Sequence, residues 1–279
     1  MRGVAMRGDG MDLWRRLRAG ICVVVALYLI APLAIVVIIS FSAAAFLQFP
    51  PPGLSLRWYG NLFNDPAWTD SLTVSLEILV PSATLATLFG TAAALALVRG
   101  RIPGASIIGA MLMLPIIVPA IITAAALFGV YRGLGLNGTL TGLVIGHVVI
   151  TLPYVVATVS SGLKTMDPRL EDAASTLGAP PGIAFWRITL PLLLPSILSG
   201  LLFAAVASFD ELIVSLFVST ARIRPVAVQM WSNVRGDVDP TIAAIASLCF
   251  AFAFLALLAE GMVRRRLGTE GPHQTEGQL

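Results

Sequence analysis

Six apolar runs, each long enough to cross a bilayer, constrain this chain more than any other feature. They cover roughly 20–42, 71–98, 105–130, 140–163, 192–219 and 241–263. A membrane helix needs about 20 mostly apolar residues, and runs of this length are too long for strands. All six are therefore expected as helices, which satisfy their own backbone N–H and C=O groups where water is absent. Composition agrees. The chain is 57% hydrophobic and 12% charged, with a mean hydropathy of +0.89, whereas a soluble domain carries about 25% charged residues. That charge cannot clothe a soluble surface, so lipid surrounds most of the chain. The same composition excludes a disordered chain, a disulfide scaffold and a collagen-like repeat. The aromatic content of 8% argues against a platform on which nucleic-acid bases stack. The expected fold class is an all-α membrane protein with six transmembrane helices.

Charge placement sets an expected orientation. Thirteen Lys and Arg fall in the N-terminal tail (Arg2, Arg7, Arg15, Arg16, Arg18), the 99–104 loop, the 164–191 loop and the C-terminal tail, and five fall on the other side. Cytoplasmic segments are enriched in these residues, so both termini are expected in the cytoplasm of a bacterial inner-membrane, multi-pass protein. The Arg-rich lead of the first run suggests a signal peptide, but the run is longer than the roughly 7–15 apolar residues of a signal core. It reads as a retained span. The expected organisation is a tail at 1–19, a six-helix domain at 20–263 and a tail at 264–279.

Prolines 32, 81, 115, 119, 153 and 195 fall inside the runs, where neighbouring helices can re-satisfy freed carbonyls. Gly138, Gly142 and Gly146 recur every four residues, which predicts a close-packing stripe on one face of the fourth span. The external loop at about 43–70 contains Trp58, Tyr59 and Trp68, which suit an interfacial aromatic belt or a docking surface for an external partner. Cys22 and Cys249 lie in apolar runs and read as packing residues.

Several chemistries lack their motifs. The one lysine, Lys164, follows Leu163, so no P-loop is present and the chain itself is not expected to bind ATP. His147 and His273 have no partners at zinc spacing, and His147 reads as a satisfied helix-contact residue. Ser161 and Lys164 match a hydrolase pair only by chance spacing. Asp237 to Pro240 reads as a turn and helix start rather than a calcium loop. No catalytic site, metal or cofactor is expected.

The 164–191 loop is long and patterned. Asp167-Pro168 predicts an N-cap followed by proline at the first helical position. Glu171 suits the positive end of a helix, and Gly178 suits a C′ glycine. A short capped helix, a Pro180-Pro181 separator and a second short segment up to Ile188 follow, with Pro191 opening the next span. The loop also contains Asp172-Ala173-Ala174, three residues, Gly178, nine residues, then Ile188-Thr189-Leu190-Pro191.

That pattern resembles the E-A-A-x3-G-x9-I-x-L-P loop of the inner-membrane permease subunits of binding-protein-dependent ABC importers, with Asp172 in place of the usual Glu. Ser55 to Tyr59 and Leu152-Pro153-Tyr154 look like the same family. Ala207 to Ser215, including Asp210-Glu211, resembles its polyamine (spermidine and putrescine) branch. The resemblance implies a type I importer bundle whose capped helix is a coupling helix seated in a partner ATPase. Glu171, Asp172, Ala173, Ala174, Gly178, Leu190 and Pro191 would be the coupling residues. It also implies an ATPase dimer holding ATP and Mg, a second permease chain in a hetero-pair, and a periplasmic solute-binding protein. The chain would be a transport subunit, not an enzyme, and would contact no nucleic acid.

Glu77, Asp210 and Glu211 lie inside the runs. A charge at the bilayer centre costs about 2.5–3.5 kcal/mol on insertion scales, so each needs a reason. At about 1.5 Å per residue, continuous helices would place Asp210 roughly 13 Å and Glu77 roughly 9 Å from the outer ends of their spans. Asp210 and Glu211 would point about 100° apart. Asp210 is expected to face a substrate path, with Glu211 toward a neighbouring helix or partner permease. Acids without deep bases suit a cation such as a polyamine; interhelical hydrogen bonding is the other reading. An importer of an opine, aminophosphonate, thiamine or iron, and a self-contained secondary transporter, remain open alternatives.

Overall fold

A computed structural model describes residues 6–100, 102–236 and 238–266, with side chains from Trp14 onward except at 101, 237, 256, 259 and 263–266. Arg2, Arg101, Asp237 and His273 lie outside the described residues, as do the side chains of Arg7 and Arg264 to Arg266. The helices are α1 (Met6–Ser40), α2 (Arg57–Asn64), α3 (Pro66–Arg99), α4 (Ala105–Ile117), α5 (Ala120–Leu134), α6 (Leu140–Thr165), α7 (Arg169–Thr176), α8 (Pro181–Ala184), α9 (Leu190–Phe209), α10 (Ile213–Val218), α11 (Val226–Arg235) and α12 (Thr241–Arg266). Among the described residues, five helical stretches are long and apolar enough to span, and the bent α4–α5 pair makes a sixth candidate.

The described residues fold as two compact units, 6–65 with Asn233–Phe250, and Pro66–Ser232 with 251–266. In the first, α1 leaves apolar side chains such as Leu27, Tyr28 and Leu29 exposed, as a helix bathed in lipid can. The segment after α1 is tied by a bridge between Ser42 and Leu54. Tyr59 hydrogen-bonds Ser40 at 2.8 Å, and Asn61 donates to Thr241 Oγ1 at 2.9 Å. Trp58 is buried, with the Arg57 guanidinium 4.2 Å from its ring centroid. In the second unit Trp68 is also buried. The two tryptophans are thus packing residues of their own units, which corrects the expected aromatic belt.

The second unit is built on α3, α6 and α9. Ala83, Ala86 and Ala94 of α3 pack with Val155, Val159 and Leu163 of α6 and Leu193 and Ala204 of α9. Small residues permit this approach. A Cβ placed on Gly90 would sit 2.7 Å from Val155 Cβ, and one on Gly200 would sit 3.3 Å from Val155 Cα, so one valine is held between two glycines. A second cluster joins Ile78, Ala124, Tyr131, Leu143, Val214 and Val218.

Four sequence expectations need correction. The 105–130 run is not one helix: α4 and α5 meet at 104°. Val118 is extended (φ −75°, ψ 134°) because the ring of Pro119 disfavours the helical region in the residue before it. The 192–219 run is also broken, with α9 ending at Phe209 and α10 starting at Ile213. Gly138 is not part of a helical stripe: it precedes the Thr139 N-cap with φ +74°, while Gly142 and Gly146 are buried in α6. Finally, Pro191 does not open a span. The helix runs from Pro181 through a π turn at Phe185–Thr189. Pro191 has no N–H for the Arg187 carbonyl, and its ring crowds that carbonyl. The wider turn, in which Leu190 N–H reaches Phe185 O, relieves both.

Candidate functional site

The 164–191 loop presents a small helix fixed at both ends. Asp167 Oδ1 accepts from Arg169 N–H at 2.9 Å. Pro168 is itself the cap residue, so the helix starts one position later than the sequence indicates. At the other end Gly178 adopts φ +83°. Its N–H donates to Ser175 O at 3.0 Å, and Ala179 N–H donates to Ala174 O at 3.0 Å. Those paired bonds are a Schellman motif, and a β-carbon is disfavoured at its left-handed position.

This helix has an inner and an outer face. On the inner face Ala174 is buried. Glu171 Oε1 accepts from Thr189 Oγ1 at 2.8 Å and lies 3.6 Å from Arg99 Nη2. Glu171 therefore ties α7 to the end of α3 and to the π turn. The Arg99 and Glu171 side chains are 25% and 32% exposed, so the ion pair is worth about 0–1 kcal/mol and serves chiefly to orient. On the outer face Asp172, Ala173 and Gly178 are exposed, and Leu177 is 88% exposed. Leu190 is half-buried and Pro191 exposed at the start of α9.

The acids of the apolar runs have separate fates. Asp210 caps the C-terminus of α9 and is exposed. Glu211 is half-buried and turns back on its own chain, its Oε1 accepting from Val214 N–H at 2.7 Å. That bond satisfies one of the donors orphaned at the start of α10. Because the helix is interrupted here, neither the 100° separation nor a depth counted along a continuous helix applies. Glu77 is exposed on α3. A fourth acid, Glu260, lies near the end of the sixth run and accepts from Ser199 Oγ, a pairing across 61 residues that no local pattern signals.

Behind the break lies a buried polar chain. His147 is 1% exposed. Its Nδ1 is 2.9 Å from Ser208 Oγ, and its Nε2 is 3.1 Å from Ser215 Oγ. Ser208 Oγ is 2.9 Å from Ser82 Oγ, and Ser82 donates to Leu79 O at 3.2 Å. His147 is thus a satisfied helix-contact residue. The two serines flank the acid pair in sequence, and that spacing is the signal that could have exposed the arrangement. No cluster of three or more His, Cys, Asp or Glu side chains able to hold a metal occurs among the described residues.

Among the described residues, six candidate spans and a polar loop that displays a short helix capped at both ends define a membrane protein with a structured loop between spans. Residues 86–268, more than half of the chain, match the family described as binding-protein-dependent transport system inner membrane component. The chain belongs to that family; it is an inner-membrane transport subunit rather than an enzyme.

Relatives agree. The chain is 36% identical over 229 residues to the putrescine transport system permease protein PotI of Escherichia coli K12, covering 79% of this chain and 81% of that one. It is 31% identical over 251 residues to the spermidine/putrescine transport system permease protein PotC of the same organism, covering 90% and 95%. Its fold matches a chain in the crystal structure of a bacterial ABC transporter involved in the import of the acidic polysaccharide alginate. The TM-score is 0.67 at 17% identity, over 96% of this chain and all of that one.

Proposed function

We propose that this chain is the permease subunit through which an ATP-driven importer moves a polyamine, putrescine or spermidine, from a periplasmic binding protein into the cytoplasm. The observation that carries the importer mechanism is α7: an inner face fastened by Glu171 to Arg99 and Thr189, and an outer face of Asp172, Ala173 and Leu177 without cover from the described residues. In this reading α7 faces the cytoplasm, as do both termini, in line with the distribution of Lys and Arg. A partner ATPase dimer holds ATP and Mg and receives the outer face of α7. Its closure moves α7, and the Glu171 contacts pass that motion to α3 and α9. A second, different permease chain completes the path, by analogy with the polyamine branch. Polyamine as substrate is supported by the similarity to a putrescine and a spermidine/putrescine permease and by Asp210, an exposed acid at a helix break inside an apolar run.

Detergent extraction of the tagged chain from its native membrane, followed by mass spectrometry, tests the assembly. A Walker-motif ATPase and a second six-span protein should co-purify. A chain recovered alone or only with itself would refute the assembly. Asp210→Asn tests the path. Labelled putrescine uptake should fall at least tenfold while the complex stays intact, and unchanged uptake would remove Asp210 from the path.

A further inference from the structure

We propose that His147 is a positioning residue for the acid-bearing break: it ties the last turn of α9 to α10 and so fixes where Asp210 stands. The inference rests on the reading of Asp210 as a path residue.

Asp210 has no helix on its far side to hold it. It is the C-cap of α9, and helical structure resumes only at Ile213. Glu211 is engaged with Val214 N–H, which leaves Asp210 as the exposed carboxylate of the pair. The carboxylate's position then depends on how the end of α9 is set against the start of α10. One side chain bridges those two ends. His147, from the first third of α6, reaches Ser208 with one ring nitrogen and Ser215 with the other. Ser208 lies two residues before Asp210, and Ser215 lies in α10.

The hydrogen-bond directions close for a neutral imidazole. With the Ser82 proton on Leu79 O, Ser208 donates to Ser82 and accepts from Nδ1–H, while Nε2 accepts from Ser215 O–H. With Ser82 donating to Ser208 instead, the other tautomer closes the same chain. His147 Nδ1 and Nε2 are the only ring atoms able to do this, and the ring is fully enclosed, so it touches no substrate. Thr151 is occupied with the His147 carbonyl at 2.7 Å and offers no replacement. Chains of buried bonds of this kind specify one arrangement when complete and fail together when one member is lost.

The test uses the assembled importer in membrane vesicles, with Ser215→Ala, His147→Ala and His147→Gln. One readout needs no substrate: the rate at which Asp210→Cys, with Cys22 and Cys249 replaced by Ser, reacts with a cationic methanethiosulfonate reagent. The other is uptake of labelled putrescine, with Asp210 intact, separated into KM and maximal rate. Loss of one net hydrogen bond corresponds to about a two- to tenfold change in an equilibrium. Ser215→Ala is expected to change the labelling rate by that factor and to raise KM similarly with the maximal rate nearly kept. His147→Ala should do more, and His147→Gln, which can reach Ser215 again, should recover part. Unchanged labelling and unchanged KM in Ser215→Ala would overturn the proposal, even if His147→Ala fails to assemble. If the unmodified complex takes up no putrescine, the substrate reading fails, and the labelling rate still decides the role of His147.

Discussion

Gly178 separates a conformational role of the coupling loop from a docking role. Its φ of +83° costs any residue with a β-carbon about 1–2 kcal/mol, with Asn the cheapest non-glycine choice. An ideal Cβ built there meets nothing within 4 Å, so this chain offers no steric objection to a large side chain. Gly178→Ala and Gly178→Arg therefore carry nearly the same backbone penalty. Because α7 has eight residues, it depends on its caps. A loss of 1–2 kcal/mol would lower the population of docked-competent loop by about 5–30-fold. Any further loss in Gly178→Arg must come from something that covers the loop. The assay is a titration of the purified ATPase onto the permease complex in nanodiscs, giving a Kd for each variant. Gly178→Asn should stay within about fivefold of the parent, Gly178→Ala should weaken binding by about 5–30-fold, and Gly178→Arg should weaken it at least a further tenfold. Equal Kd values for Ala and Arg would refute the docking argument, because bulk at that point would then meet no partner.

Two further outcomes follow from the packing. Gly90→Ala should destabilise the bundle by about 0–2 kcal/mol, because overpacking costs about 1–3 kcal/mol and the gain in helix propensity returns about 1. Adding Val155→Ala should not restore stability, since alanine keeps the Cβ that would sit 2.7 Å from the new Gly90 Cβ and removes buried methyl groups as well; thermal aggregation midpoints in detergent measure both. Thr139→Ala should cost about 1 kcal/mol by removing the acceptor that Gly142 N–H reaches at 3.0 Å at the start of α6. Unchanged hydrogen exchange in the first turn of α6 would contradict that assignment.

What the sequence determined by itself is whatever local composition controls. The cost of leaving apolar side chains in water defined all six candidate spans, and runs such as 140–163 lie within the helices that form. Asp167 and Gly178 marked the two ends of α7 because caps act through bonds only two to five residues apart. Tertiary structure decided the interruptions and the pairings. Hydropathy counts residue types along a run and is blind to a backbone break inside it. A break such as 210–212 survives because a particular side chain, here Glu211, satisfies a freed N–H. The bend at Val118-Pro119 and the π turn before Pro191 belong with it: sequence shows the proline, but only the packed structure shows whether the helix absorbs it, bends or widens. Glu171 stood beside Asp172 as an equivalent acid, and the placement of Arg99 and Thr189 turned one inward and left the other exposed. His147 looked like a lone packing histidine because its partners are 61 and 68 residues away. Such contacts depend on which helix faces meet, and no spacing along one segment encodes that.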